Sequence, residues 1–451
     1  MAENRKNILF LVHSNNDMDY FLPVIHGMNG KGDMAPVVFF LVSEEESHIS
    51  AAHKYLLEEL NVPVYSLKGS VKKGFFGRWL TVVSTRSLKL SGTVPIKMLC
   101  GSGDVMRSFW KMLYIVVERL FSVFPQMFFR KEHIAELIEG VSPSLVVVDV
   151  QRIEKHAPFS DLRSYCNSTI VAFCKRKKIP VFMMEHGAIS IVDFGDLNKC
   201  VFFRFDNETC DFEERYYRPD IMALSFDHER KGYSRLIGPG TVVKALGTVR
   251  YDRAWNEYIQ GISVRIDKSG IRKNKFTVLY VVAPLSKEAN EVMTPEILAI
   301  AEKFPETELW VKLHPRYQWA ISDDISKGSD RIRLFRNDVD INVLLHYADL
   351  VISPLSSVLF QAIIDGIPVI LYERWKKLMN FTGRTAFEDT ECIFRASEPE
   401  MLYNHCSRVI AGERPSMRDF REFYKKKISS GIDMDKSMVE GYLKAIREAC
   451  R

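Results

Sequence analysis

The stretch DLVISPLSSVLFQAIIDGIPVILYE, residues 349–373, decides the fold. Its ends, DLVIS (349–353) and PVILYE (368–373), are apolar, β-branched runs of the kind that fill strands buried on both faces. Between them VLFQAIID reads as a short helix, closed by Gly366 with Pro368 just beyond. Two parallel strands this close in sequence need a helix to return the chain, so the unit is a right-handed βαβ crossover. The turn PLSS between strand and helix carries a surplus of hydroxyls. One serine is enough to cap a helix, yet Ser353, Ser356 and Ser357 crowd the same strand end. Helix starts also attract anions, which makes a phosphate seat the sharper reading of this turn.

The same strand type recurs on both sides of the chain's middle. NILFLVH (7–13), PVVFFLV (36–42), VPVYSL (62–67), SLVVVDV (144–150), PVFMMEH (180–186) and DIMALS (220–225) form one set, with helix-like segments between them. One such helix is expected over about 168–178, ending in the cations KRKK. After GPGTVVKALGTVRYDRAW (238–255) a second set begins: FTVLYVVAP (276–284), ELWVKLH (308–314), RIRLF (331–335), then the two strands quoted above. No short repeat is present, so the architecture is duplicated and the sequence is not. The fold expected is α/β, with two Rossmann-like, doubly wound parallel-sheet domains facing across a cleft. The predicted division is 1–246 for an acceptor domain, 247–425 for a nucleotide-donor domain, and 426–451 for a C-terminal helix that packs back on the first domain. A length of 451 residues fits two domains of ordinary size.

Bulk composition excludes several classes. The net charge of +5 is mild for this length and gives no reason to expect a nucleic-acid partner. Eight cysteines without a Cys-x-x-Cys pair argue against a zinc site or a disulfide framework and suit a reducing compartment. The sequon Asn207-Glu208-Thr209 is therefore read as chance. No signal peptide is evident, and no run reaches the about twenty apolar residues of a spanning helix. The nearest, SFWKMLYIVVERLFSVFPQMFF (108–129), is interrupted by Lys111, Glu118 and Arg119. It reads as a core-facing amphipathic helix, with a membrane-surface helix as the alternative. No GxGxxG or Walker pattern follows a strand.

In open parallel sheets ligands sit beyond the carboxyl ends of the strands, and three ends carry chemistry. In MEHGAIS, Glu185 and His186 leave a strand and Gly187 allows a turn. A histidine steadied by a carboxylate there suits a general base toward an acceptor hydroxyl. In VKLHPR, Lys312 and His314 share a strand face, Pro315 stops the ladder and Arg316 lies beyond. Such groups suit a diphosphate leaving group whose developing charge must be neutralised. The third end is the serine turn. Asp149 is either functional or a buried hydrogen-bonded carboxylate, and Ser322-Asp323-Asp324 is not read as a metal pair.

EHG (185–187), HPR (314–316) and SPLSS (353–357), in that order and spacing, resemble the bacterial surface-polysaccharide transferases of GT-B fold. These include CDP-glycerol glycerophosphotransferases, polysialyltransferases and capsule-type Kdo transferases. The likeness spans roughly residues 179–375. It implies that His186 acts on the acceptor, that His314 contacts the donor phosphate or protonates the leaving group, and that Ser356 and Ser357 grip phosphate. Gly247-Thr248-Val249-Arg250-Tyr251-Asp252 is similar to the family's entry into the second domain. There are departures: Glu185 stands where the polymerising members carry tryptophan, and Gln361 replaces a glutamate that holds ribose in related sugar-nucleotide enzymes. Glutamine still hydrogen-bonds hydroxyls, without charge.

The expectation is a metal-independent glycosyltransferase or glycerophosphotransferase. It takes a CMP- or CDP-activated donor, with no separate cofactor, to a glycan or lipid-linked acceptor. Its place is the cytoplasm, with peripheral association at the inner membrane face. The alternatives are a UDP-sugar transferase or UDP-GlcNAc 2-epimerase of the same fold, and a non-catalytic glycan- or nucleotide-binding subunit. The turn HSNNDMDYF after the first strand lacks the arginine-bearing loop of such epimerases.

Overall fold

The computed structural model describes residues 5–41, 49–66, 131–149, 162–184, 192–193, 216–227, 239–283, 285–314, 329–336, 339–381, 384–385 and 390–451, with a few single positions between them. Glu185, His186, Arg316, the segment 108–129, the Asn207 sequon and Ser322 to Asp324 lie outside the described residues.

Lys6–Val12 forms β1, buried along its last five residues. Ile8, Phe10 and Val12 face an apolar layer built with helix Asn15–Met28, while Leu9 and Leu11 face a second layer built with helices Lys131–Val141 and Leu162–Arg176. Cover on both faces is why the strand reads as an unbroken apolar run. Around it stand β2 (Met34–Phe40), β3 (Val64–Ser66), β4 (Leu145–Asp149), β5 (Val181–Met184), β7 (Ile221–Leu224) and β8 (Val242–Ala245), while β6 (Val192–Asp193) lies apart. The order is β3-β2-β1-β4-β5-β7-β8, with every pairing parallel.

The second sheet is parallel throughout in the order β11-β10-β9-β12-β13-β15. Its strands are β9 (Phe276–Val281), β10 (Thr307–Lys312), β11 (Ile332–Phe335), β12 (Leu350–Ser353), β13 (Val369–Tyr372) and β15 (Phe394–Ala396). The quoted stretch is the expected βαβ unit: β12, helix Val358–Ile364, Gly366 at φ 73°, and β13 paired parallel to β12. Two expectations shift. The helix expected at 168–178 is Leu162–Arg176, starting earlier through a polar stretch without an apolar run to mark it, and ending before Lys178 at φ 57°. Strands β8 and β15 were not legible, because each is short and only partly buried, without an apolar run.

The two sheets meet at a knot. Residues 247–252 carry the chain from one to the other, and the C-terminal segment closes over them. Asp252 is buried and caps helix Arg253–Ile266 through Trp255 N (3.2 Å), while its second oxygen accepts Ser437 Oγ (2.9 Å) and Met438 N (2.7 Å). Thr248 N donates to Ile428 O (2.8 Å), and Tyr442 Oη donates to Gly247 O (2.8 Å). Gly247 has φ 82°, and a Cβ there would overlap Met438 Sδ and press on Ser429 Cα at 3.0 Å. Glycine alone fits. Beyond the knot, helix Val439–Ala449 buries Tyr442, Leu443 and Ile446 in the first sheet's layer. A further link is the antiparallel pair of β6 with β14 (Arg384–Thr385), joining the segment after β5 to the loop after β13.

Helix Val358–Ile364 ends at Asp365, whose carboxylate accepts Gln260 Nε2 at 3.4 Å. Burial first, then the charge of Glu257, pushes the Asp365 carboxyl up to about 7, against the opposing effect of Arg253. A carboxyl raised in the folded state stabilises the protein below its unfolded value of 3.8 and loses that contribution as pH rises through about 7. Asp365→Asn is therefore expected to stabilise the protein by on the order of 2 kcal/mol at pH 8, after allowance for solvent screening of a half-buried group. The gain should vanish by pH 4. Urea unfolding at the two pH values checks it.

Candidate active site

Strands β10, β9 and β12 are neighbours, so the chain ends that follow β10 and β12 flank the end of β9. Lys312 pairs with Val281 and Ile352 with Tyr280. Two strand spacings, about 10 Å, thus separate the His314 end from the serine turn. His314 is half-buried just past β10. The expected residues then divide into those that hold this end of the sheet together and those left partly open.

Ser353 belongs to the frame. It is wholly buried and its hydroxyl donates to Val281 O at 2.8 Å, locking β12 to β9. Lys312 is only 6% exposed, and its ammonium donates to Arg336 O and to Val339 O (2.7 Å). It secures the loop after β11. Gln361 is also buried; its Nε2 donates to Asn342 Oδ1, tying helix Val358–Ile364 to the start of helix Ile341–Tyr347. These three were expected at the donor's phosphates or ribose, and each is engaged in packing the strand end. Burial wins because a polar group left without a partner inside the sheet costs about 1–3 kcal/mol.

The rest of the turn is more open. Ser356 Oγ accepts Val358 N at 3.3 Å, a weak local turn contact. Ser357 stands where a cap would be but has helical angles (φ −63°, ψ −19°), and its hydroxyl caps nothing. Its carbonyl accepts the buried Tyr251 hydroxyl at 3.0 Å, which fastens the turn to the crossover segment.

Sequence reasoning passed over the neighbour of Tyr251. Arg250 lies on the 3₁₀ turn Val249–Tyr251, its Cζ 5.5 Å from the Tyr251 ring centroid, and its NH1 meets Asp19 Oδ2 of helix Asn15–Met28 at 3.1 Å. Asp19 also pairs with His53 Nε2 (3.3 Å), and His53 Nδ1 lies 3.0 Å from Asn15 Oδ1. Burial raises the Asp19 carboxyl, but Arg250 and His53 outweigh it and hold it below the usual range. Asp340, the cap of helix Ile341–Tyr347, adds its field at Arg250 from the second sheet's side. The signal was present in GTVRYD, which had been read only as a domain entry. At the end of β1, His13 is buried with Nδ1 3.2 Å from Asp17 Oδ2. Asp17 also accepts His13 N (2.6 Å) and Ser14 N (3.1 Å), so this turn is built on a carboxylate.

Known structures share this architecture across almost the whole chain. The UDP-GlcNAc 2-epimerase from Methanocaldococcus jannaschii aligns with TM-score 0.56 and 13% identity, covering 98% of this chain and 99% of that one. The UDP-GlcNAc 2-epimerase from Neisseria meningitidis, solved with UDP-GlcNAc bound, aligns at 0.54 and 12%, covering 98% and 100%. A glycosyltransferase from Rickettsia africae aligns at 0.50 and 13%, covering 99% of each. No curated protein sequence matches the chain. Residues 243–383 match the family model of CDP-Glycerol:Poly(glycerophosphate) glycerophosphotransferase. Over these residues, about a third of the chain, the protein is similar to that glycerophosphotransferase family.

Its two parallel-sheet domains are built on the GT-B fold that these structures share. The matched span contains Arg250, His314, the serine turn and Gln361, but not Asp19 or His13. Among the described residues no group of His, Cys, Asp and Glu could hold a metal ion, and no helix is long and apolar enough to cross a membrane.

The division of the serines is testable by urea unfolding. Ser353→Ala should cost about 1–3 kcal/mol by stranding the Val281 carbonyl. Ser357→Ala should change stability by less than about 0.5 kcal/mol.

Proposed function

We propose that the enzyme moves a sugar or sugar-like unit, such as Kdo, sialic acid or glycerophosphate, from a cytidine-activated donor to a surface polysaccharide or lipid-linked acceptor. The observation that carries this reading is the matched family span, which encloses the His314 and serine-turn ends of the second sheet and whose description names a CDP-linked donor. The Neisseria meningitidis relative of the same fold, with UDP-GlcNAc bound, supports a nucleotide-sugar donor.

His314 and Arg316 meet the donor phosphate from the β10 side, and Ser356 and Ser357 from the β12 side. Lys312, Ser353 and Gln361 set the positions of these groups. The acceptor hydroxyl gives its proton to His186, which Glu185 steadies, as its oxygen bonds to the donor carbon, or to phosphorus in a glycerophosphate transfer. The bond to the leaving nucleotide's phosphate oxygen breaks, and the cationic and hydroxyl groups around it take up the charge. No metal is required in this scheme, and the donor is a substrate, so no separate cofactor is involved. Activated nucleotides are made in the cytoplasm. A lipid-linked acceptor would bring the protein to the inner membrane face.

Calorimetric titration with CMP, CDP and UDP tests the reading. Cytidine nucleotides are expected to bind better; preference for UDP would instead favour a UDP-sugar transferase or epimerase, and no binding at all a glycan-binding subunit. His314→Ala is expected to abolish transfer and weaken nucleotide binding, whereas His186→Ala abolishes transfer with nucleotide affinity nearly intact.

A further inference from the structure

We propose that Arg250 is a donor-phosphate ligand, contributed by the crossover segment and aimed by Asp19. The inference deepens the proposed function and rests on its assignment of a nucleotide donor.

Three observations lead to it. The first is what the other cation does: Lys312 is spent on the Arg336 and Val339 carbonyls. A phosphate at this sheet end therefore needs a counter-charge besides His314 among the described residues. The second is place. Tyr251, next in sequence to Arg250, hydrogen-bonds Ser357 O, so the 3₁₀ turn that bears the guanidinium is fastened to the serine turn. From the other side, Asp340, whose field reaches Arg250, accepts Asn342 Nδ2 (2.9 Å), and Asn342 Oδ1 in turn accepts Gln361 Nε2. Both chains of contacts converge on one spot between the two sheets.

The third is the engagement of the guanidinium itself. Asp19 meets one nitrogen, NH1, and the Arg250 side chain keeps 21% of its surface exposed. A guanidinium carries five N–H donors in a planar fork. With one edge fixed by Asp19 and the group lying beside the Tyr251 ring, the remaining donors are oriented before any anion arrives. That is the arrangement that favours bidentate binding of phosphate over a point-charge contact. Asp19 is the positioning residue, and His53 with Asn15 holds it in turn. Asp19 and Asp340 also keep the spot from being strongly cationic, so a bare anion gains less there than one anchored by its nucleoside.

The test compares nucleotide with nucleoside, because only the phosphate contact separates them. Calorimetry on the full chain would use CDP against cytidine, with UDP against uridine as a second pair, so that base preference is read apart from the phosphate increment. Arg250→Gln is expected to weaken CDP at least about tenfold and leave cytidine unchanged. Arg250→Lys keeps a cation beside Asp19, so it preserves folding, yet it should lose most of the same increment because an ammonium lacks the fork. An unchanged CDP-to-cytidine ratio in a folded Arg250→Lys protein overturns the inference while leaving the proposed function standing. Wild-type protein that binds no nucleotide and no nucleoside overturns the parent reading and this inference with it.

Discussion

The carboxylate of Asp252 is the interaction on which the arrangement of the molecule depends. One oxygen caps the helix that begins the second half of the chain, and the other takes two hydrogen bonds from the segment that returns to the first. Both crossings between the sheets are thereby tied at a single buried charge. A buried carboxylate survives only when such donors surround it, and charge-assisted bonds of this kind contribute about 1.5–3 kcal/mol each. Gly247 supplies the backbone that lets the returning segment lie this close.

Function follows from what hangs on that knot. The two residues before Asp252 are Arg250 and Tyr251, one reaching Asp19 on the first sheet's helix and the other reaching Ser357 on the second sheet's turn. The crossover peptide itself thus touches both halves. Catalytic groups on two separate sheets act together only if their relative placement is fixed to within a fraction of an ångström. Here the hydrogen bonds at the crossover act together with apolar packing, since Trp255, Ile259 and Ile262 of the helix that Asp252 caps lie in the first sheet's core layer.

Much of the architecture was legible because fully buried parallel strands cannot hide. NILFLVH and FTVLYVVAP announce themselves by near-continuous apolar runs, and their observed counterparts β1 and β9 are covered on both faces. Partly exposed β8, with Val242 at the surface, gave no such signal. The site was legible by location and less so by role. Lys312, His314 and the serine turn do lie at the ends of strands in one sheet, yet sequence does not say whether a polar side chain is open or turned back into the frame. Ser353 and Ser357 are four residues apart on the same turn; one is sealed against the Val281 carbonyl, the other uncommitted. Lys312 was read as a phosphate cation and is held by main-chain carbonyls, an outcome set by the path of the loop after β11. Arg250 was overlooked because its partners lie hundreds of residues apart in sequence and meet only at the knot.

The dependence of both halves on Asp252 is tested most directly by Asp252→Asn, followed by equilibrium urea unfolding of the full chain. Asparagine can still cap Trp255 through its oxygen, but its amide cannot accept from Ser437 and Met438, so only the tie to the C-terminal segment is lost. The account predicts a loss of about 2–4 kcal/mol, with the single transition broadening or splitting as the two sheets unfold separately. An unchanged midpoint and slope would contradict it.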